Sequence, residues 1–350
     1  MPKPLLEATD LSTHFRTTRG WVRAVDGVSF QLYPGKMLGI VGESGSGKSV
    51  TTRSMMGTVQ AGDGVRLSGS VRFDDVELTT LPIKQRRLIW GNDLAMVFQD
   101  PMTALNPVVK VGRQITEGMR RHLDISQKEA NGRAAQLLAS VGISEPERRL
   151  AEYPGRLSGG MRQRVSIAIA LSCGPAVLFA DEPTTALDVT VQAQILDLIA
   201  DQQRERDMSV VLVTHDLGVV AGYADEIAVM YAGKVVERAP TRTLFTAMRM
   251  PYTEALFNSI PSLENPSHTR LKVIVGRPPD LARLPSGCRF APRCPYAQDR
   301  CRQEEPPLIS TDDPAHQFAC WFPIGAPAVP ASVSPSASEP LAEVSEGGVD

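Results

Sequence analysis

The chain has 350 residues, room for one large domain or two ordinary ones, and its 42% apolar and 22% charged residues are the balance of a soluble globular protein. A formal net charge of -2 gives no electrostatic case for a nucleic-acid partner. The chain contains no window of about 20 uninterrupted apolar residues that would span a membrane. Met1-Pro2-Lys3-Pro4 leads into a polar-studded segment rather than an apolar signal region, so a cytosolic location with reduced thiols is expected.

Leu5 to Leu11 and Val25 to Leu32 read as strands, and Tyr33-Pro34-Gly35 as the turn before a third, Met37 to Val41. Phe15 and Trp21 are candidates either to stack on a base or to pack. The third strand runs into Gly42-Glu43-Ser44-Gly45-Ser46-Gly47-Lys48-Ser49, and a helix-compatible stretch, Val50 to Met56, follows. This is the strand–loop–helix setting of the G-x-x-x-x-G-K-[ST] phosphate loop. Its glycines allow a tight turn close to an anion, and its N–H groups and the helix start face the phosphate chain. Lys48 is expected to reach the β- and γ-phosphates of a nucleotide, and the Ser49 hydroxyl to bind magnesium.

Further along, Gly69 to Phe73 alternates as a strand, and Leu94 to Phe98 reads as a buried strand ending at Gln99, which can reach a magnesium ion or a water. From about Val108 to Leu150 the pattern turns helical, with Ala134, Leu137, Leu138 and Val141 on one face. Ser158 is a helix N-cap in Leu157-Ser158-Gly159-Gly160-Met161-Arg162-Gln163, and the exposed amides of that helix start make a second anion site. The helix ends near Cys173, read as a buried thiol. Ala176 to Ala180 is an apolar strand closing on Asp181, placed to hold magnesium, and Glu182, placed to polarise a water. A loop with Asp188 leads to a helix from Val191 to Arg206, then a strand from Met208 to Thr214 that ends at His215, on the same sheet edge as the other motifs. Tyr231-Ala232-Gly233-Lys234 reads as a hairpin turn.

Taken in order, the phosphate loop, Gln99, Leu157 to Gln163, Asp181-Glu182, Ala186-Leu187-Asp188 and His215 resemble an ABC transporter ATPase subunit, with Leu-Ser-Gly-Gly as the discriminating motif. Phe98-Gln99-Asp100-Pro101-Met102-Thr103-Ala104-Leu105-Asn106-Pro107, Thr214 to Leu217 and Pro251-Tyr252-Thr253 through Ile260-Pro261 resemble the dipeptide/oligopeptide (peptide/nickel) importer ATPases. The resemblance covers about residues 5 to 322. It implies an α/β fold: a phosphate-loop ATPase core with an antiparallel β subdomain and a helical insertion, about 108–170, within residues 1–240. Residues 241–323 would form a small Cys-containing C-terminal region and 324–350 a disordered tail.

The resemblance also implies partners and roles. ATP with Mg2+ would lie between the phosphate loop of one ATPase and Ser158, Gly159 and Gly160 of a second, related ATPase subunit, so these three act in trans. Glu182 resembles the general base, His215 the γ-phosphate switch residue, and Asp188 the residue linking the two sites. Ser49, Gln99 and Asp181 would serve magnesium. Two integral membrane permease subunits and an extracytoplasmic solute-binding protein complete the assembly, with this chain peripheral on the cytoplasmic face of the cell membrane. Arg19 stands roughly where many relatives place an adenine-stacking aromatic. Cytosolic ABC ATPases of translation or repair commonly carry two motif sets or a coiled-coil insertion, and this chain has neither. Regulatory cassettes that only bind ATP would lack Glu182 or His215. The cargo stays open among dipeptides, longer peptides, nickel and some sugars.

Four of the five cysteines fall late, as Cys288-x5-Cys294-x6-Cys301-x18-Cys320. Four cytosolic thiols argue against disulfides and suit either zinc or a cubane cluster. The gaps are wider than zinc knuckles, and proline follows Cys294, which favours a loop around a larger object. Gly287 to Cys294 also resembles a motif of importer ATPases, some of which hold such a cluster. The expectation is therefore an iron–sulfur cluster, [4Fe–4S], with zinc or free thiols as alternatives. Arg289, Arg293, Arg300 and Arg302 are expected to offset its negative charge.

Overall fold

The computed structural model describes residues 3–100, 104–185, 187–260 and 274–325. Pro101-Met102-Thr103, Ala186, Pro261 and the tail beyond 325 lie outside the described residues.

The chain opens on a long hairpin, β1 (Leu6–Thr17) and β2 (Gly20–Leu32). Both strands outrun their apolar cores. In β1 the extension is held by Thr13, which is fully buried and shares a 2.8 Å hydrogen bond with the Ser54 hydroxyl. The β3 strand (Met37–Val41) is buried at every position and leads into α1 (Lys48–Met55). Next come β4 (Val65–Phe73), β5 (Val76–Glu77), α2 (Ile83–Ile89) and β6 (Leu94–Val97).

A helical stretch follows: α3 (Val111–His122), α4 (Gln127–Ser140), α5 (Pro146–Leu150) and α6 (Gly159–Leu171). Ser126 starts α4 by accepting from the Glu129 amide, and the expected face of Ala134, Leu137, Leu138 and Val141 is the buried one. The chain then forms β7 (Val177–Asp181), α7 (Val189–Arg206), β8 (Ser209–Thr214), α8 (Leu217–Ala221), β9 (Glu226–Tyr231) and β10 (Lys234–Pro240). Ala232 and Gly233, both at positive φ, make the tight turn between the last two strands. Two helices, α9 (Thr241–Ala247) and α10 (Pro251–Asn258), precede α11 (Asp299–Gln303), β11 (Ile309–Ser310) and β12 (Gln317–Phe318).

Eight strands form one sheet in the order β11-β12-β10-β9-β3-β8-β7-β6, and β2-β1-β4-β5 form a second, antiparallel sheet. Strands β9, β3, β8, β7 and β6 are mutually parallel. Their near-continuous apolar runs are what a sheet covered on both faces requires. One core joins the two sheets through Leu6, Phe30, Ile40, Phe179 and Val213. The other packs the helices on the opposite face through Ile115, Leu138, Val165, Leu178 and Leu212.

The Cys-containing region joins this body. β12 pairs antiparallel with β10, and the rings of Tyr231, Tyr252 and Phe290 stack against one another at centroid distances of 4.5–5.3 Å. Ile324, expected to open the tail, is tied by its amide to the Arg249 carbonyl at 3.0 Å.

Candidate functional site

Because β3, β6, β7 and β8 are parallel, their C-terminal ends share one edge, where α/β sheets bind ligands. Onto that edge the fold brings the loop 42–47, Gln99, Asp181-Glu182 and His215 from four separate strand ends. The loop conformation depends on glycine. Gly47 has φ +104°, and a Cβ there would sit 2.1 Å from the Ala24 carbonyl oxygen. A Cβ at Gly42 would meet the Met230 carbonyl oxygen at 2.2 Å. Glu182 also lies in the left-handed region at φ +46°, a strained position for a residue with a side chain.

Lys48 is 4% exposed; its Nζ donates to the carbonyls of Gly42 (2.8 Å) and Glu43 (3.2 Å) and lies 3.6 Å from Glu182 Oε1. Burial holds the Lys48 pKa below its ordinary value, against the pull of Glu182. Ser49 Oγ donates to Asp181 Oδ1 at 2.8 Å, and burial pushes the Asp181 carboxyl up despite that bond. Glu182 Oε2 accepts from Gln99 Nε2 and from Thr185 Oγ1, each at 3.0 Å, and stands 3.5 Å from His215 Nδ1. Among the described residues, the buried Ser46 hydroxyl has no hydrogen-bond partner, an orphan donor in the loop suited to an anion. The adjacent Ser49 hydroxyl and Asp181 carboxylate form the hard-oxygen set a magnesium ion takes, so these residues fit Mg2+.

The remaining expected site residues lie elsewhere. Ser158 caps α6 by accepting from the Met161 amide at 3.3 Å; it and Gly159 are exposed, while Gly160 faces Val191. Asp188 is exposed and caps α7, accepting from Val191 N at 3.0 Å. Trp21 packs under the Arg66 guanidinium, 4.0 Å from the ring centroid.

Cys288, Cys294, Cys301 and Cys320 are free thiols lining one apolar pocket with Met250, Phe290 and Trp321. Among the described residues, no group of three or more His, Cys, Asp and Glu side chains closes around a single-ion site. Burial pushes the thiols of Cys288 and Cys294 up, and Cys320 up to about 12, the neighbouring cysteines adding to each shift.

One expectation is corrected. Cys173 is only half buried. Each of the four arginines near the cysteines pairs with a carboxylate: Arg289 with Asp26 and Glu305, Arg293 with Glu43, Arg300 with Glu304, and Arg302 with Asp299.

Sequence reasoning missed Thr185, whose hydroxyl grips Glu182, although it stands three residues on in the same loop. It also missed Tyr252, whose hydroxyl accepts the Glu43 amide at 2.9 Å, and the reach of Arg293 to the phosphate loop. Both partners lie more than 200 residues from Glu43, so no local spacing shows them.

Residues 25–185 match the ABC transporter family, and residues 236–301 match the oligopeptide/dipeptide transporter C-terminal region. The oligopeptide transport ATP-binding protein AppD of Bacillus subtilis (strain 168) is 50% identical over 306 residues, 87% of this chain and 93% of its own length. This chain belongs to the ABC transporter ATPase family. A putative peptide import ATP-binding protein of Brucella abortus (strain 2308) is 51% identical over 88% of this chain and 92% of its own. The ATP-binding cassette MJ0796, solved as a dimer in a post-hydrolysis state with ADP and Pi, superposes with a TM-score of 0.61 at 26% identity. That match covers 68% of this chain and 99% of the cassette. This ABC ATPase is accordingly an ATP hydrolase, and the sheet edge described above is its candidate nucleotide site.

Proposed function

We propose that this ABC ATPase is the ATP-hydrolysing subunit of an importer that carries di- and oligopeptides through a membrane permease. The observation that carries the reading is the convergence of the phosphate loop, Gln99, Asp181-Glu182 and His215 on one sheet edge. The C-terminal region, matching that of oligopeptide and dipeptide transporters, supports the peptide cargo. So do the relatives named for peptide transport, a dipeptide transport ATP-binding protein of Bacillus subtilis (strain 168) at 48% identity among them.

In this reading the backbone of residues 42–49 wraps the phosphate chain, and Lys48 exchanges its carbonyl and Glu182 partners for phosphate oxygens. Ser49, Asp181 and Gln99 would hold magnesium, which supplies positive charge against the β- and γ-phosphates. Glu182, released by Lys48 but still oriented by Gln99 and Thr185, accepts the proton of the attacking water. His215 contacts the γ-phosphate.

Ser158 and Gly159, exposed at the start of α6, and the half-buried Gly160 beside them serve the nucleotide of a second ATPase subunit, and Asp188 lies between the two sites. An open groove of about 1320 Å³ between α3, α4 and α5, bordered by Arg113, Glu117, Arg120 and Gln136, is suited to a permease segment. Among the described residues no helix is long and apolar enough to cross a membrane, so attachment at its cytoplasmic face would go through such a permease. An extracytoplasmic solute-binding protein would deliver the peptide.

For the cysteine pocket we propose a [4Fe–4S] cluster held by Cys288, Cys294, Cys301 and Cys320. Four thiols line one apolar pocket, and four thiolates are the ligand set such a cluster takes. The cluster would be structural and tie this region to the ATPase body.

The test of the transport reading is ATP-driven uptake of labelled di- and oligopeptides by vesicles carrying the complete transporter. Peptide accumulation that needs internal ATP and this chain is expected. Accumulation of a non-peptide solute with no peptide uptake would contradict it.

A further inference from the structure

Glu43 is the second residue of the phosphate loop, and its carboxylate is an unfavourable charge to place beside a phosphate chain. The fold deals with it from the far end of the chain. Arg293 Nη1 donates to Glu43 Oε2 at 2.5 Å and Nη2 to Oε1 at 2.9 Å, a two-pronged pair. The Arg293 side chain is 3% exposed. Its remaining donors are fixed as well: Nε on the Val275 carbonyl (3.1 Å), Nη2 on the Ile274 carbonyl (3.2 Å) and Nη1 on the Tyr231 hydroxyl (3.3 Å). The Glu43 amide is taken by the Tyr252 hydroxyl. Both the backbone amide and the side chain of this loop residue are thus held by groups from the region after residue 240. Arg293 ends the short 3-10 helix Ala291–Arg293, between Phe290 of the aromatic cluster and Cys294.

We infer that Arg293 is a positioning residue of the ATP site: it neutralises Glu43 and turns its carboxylate away from the phosphate chain, so that the loop keeps its anion-binding form. The C-terminal region is then part of the nucleotide site. Arginine suits the task because lysine, a point charge, cannot engage both carboxylate oxygens in one plane.

The experiment measures ATP KM and kcat for the complete transporter, assembled from full-length chains. Arg293→Ala should raise KM about tenfold, the scale of a charge-assisted pair, with kcat within about twofold of wild type. Glu43→Gln removes the charge that Arg293 answers, so Arg293→Ala/Glu43→Gln should match Glu43→Gln alone. Arg293→Lys keeps the charge and the packed stem, and its KM should fall between wild type and Arg293→Ala. An unchanged KM in Arg293→Ala would overturn the inference. So would a double variant no better than Arg293→Ala, since Arg293 would then act only by supporting the C-terminal fold. A KM for Arg293→Lys at or above that of Arg293→Ala would also count against it.

Discussion

Replacing Lys48 with methionine separates what this residue does for ATP from what its charge does to the fold. Its ammonium is 4% exposed, and burial outweighs the nearby Glu182, holding the pKa below 10.5. Between that lowered value and 10.5 the unfolded chain binds the extra proton, so stability rises with pH across the window. Below the window the buried charge weighs fully against the fold. Lys48→Met has a stem of similar length and no charge; relief of the buried charge offsets the loss of the two carbonyl hydrogen bonds, so its melting temperature without nucleotide should stay within a few degrees of wild type.

The ATP response should move the other way. Saturating wild type at 100 times Kd adds about 2.7 kcal/mol. At about 2–4 °C per kcal/mol that is a shift of roughly 5–10 °C. Losing one charged donor to phosphate removes about 2 kcal/mol, close to 30-fold in affinity. The same ATP then stands near 3 times Kd and stabilises by about 0.8 kcal/mol, roughly 2 °C. Thermal melts of the chain with and without Mg-ATP read both effects. An undiminished ATP shift would refute the phosphate role, and a fall of several degrees without nucleotide would refute the burial argument.

Thr185→Val should lower kcat about fivefold at unchanged KM, because one hydrogen bond of about 1 kcal/mol that orients Glu182 is lost; steady-state kinetics checks the split. Gly159→Asp, which sets a carboxylate at the exposed start of α6, should abolish ATP-dependent crosslinking of the two ATPase subunits while this chain still binds ATP at its own loop. Serine at any one of Cys288, Cys294, Cys301 or Cys320 should remove iron and acid-labile sulfide from protein purified without oxygen. Cys173→Ser should retain both; one equivalent of zinc with no iron in the wild type would sink the cluster proposal.

The parallel core was legible in the sequence because its strands are short apolar runs, and each catalytic candidate sits where such a run stops. Gln99, Asp181-Glu182 and His215 could be placed on one edge before any contact was known, since parallel strands put like ends together. The outer hairpin was harder. β1 runs on to Thr17 through polar residues, and its continuation depends on a buried Thr13–Ser54 contact that no alternation reports. The partners of the arginines near the cysteines were hidden for the same reason. Proximity in sequence suggested a shared partner, whereas the fold sends Arg289 to Asp26 and Arg293 to Glu43 across more than 200 residues. Asp188 shows the opposite ambiguity: its place before a helix start carries a capping role whether or not it also links two ATP sites.

The central claim is that ATP bound at this edge is hydrolysed through Glu182 to drive uptake. The most direct measurement is ATP binding, ATP turnover and peptide uptake by the complete transporter carrying Glu182→Gln. ATP should bind as in wild type, while turnover and uptake fall together by about 100-fold or more, the contribution of a positioned general base. Turnover and uptake at wild-type rates would contradict the account.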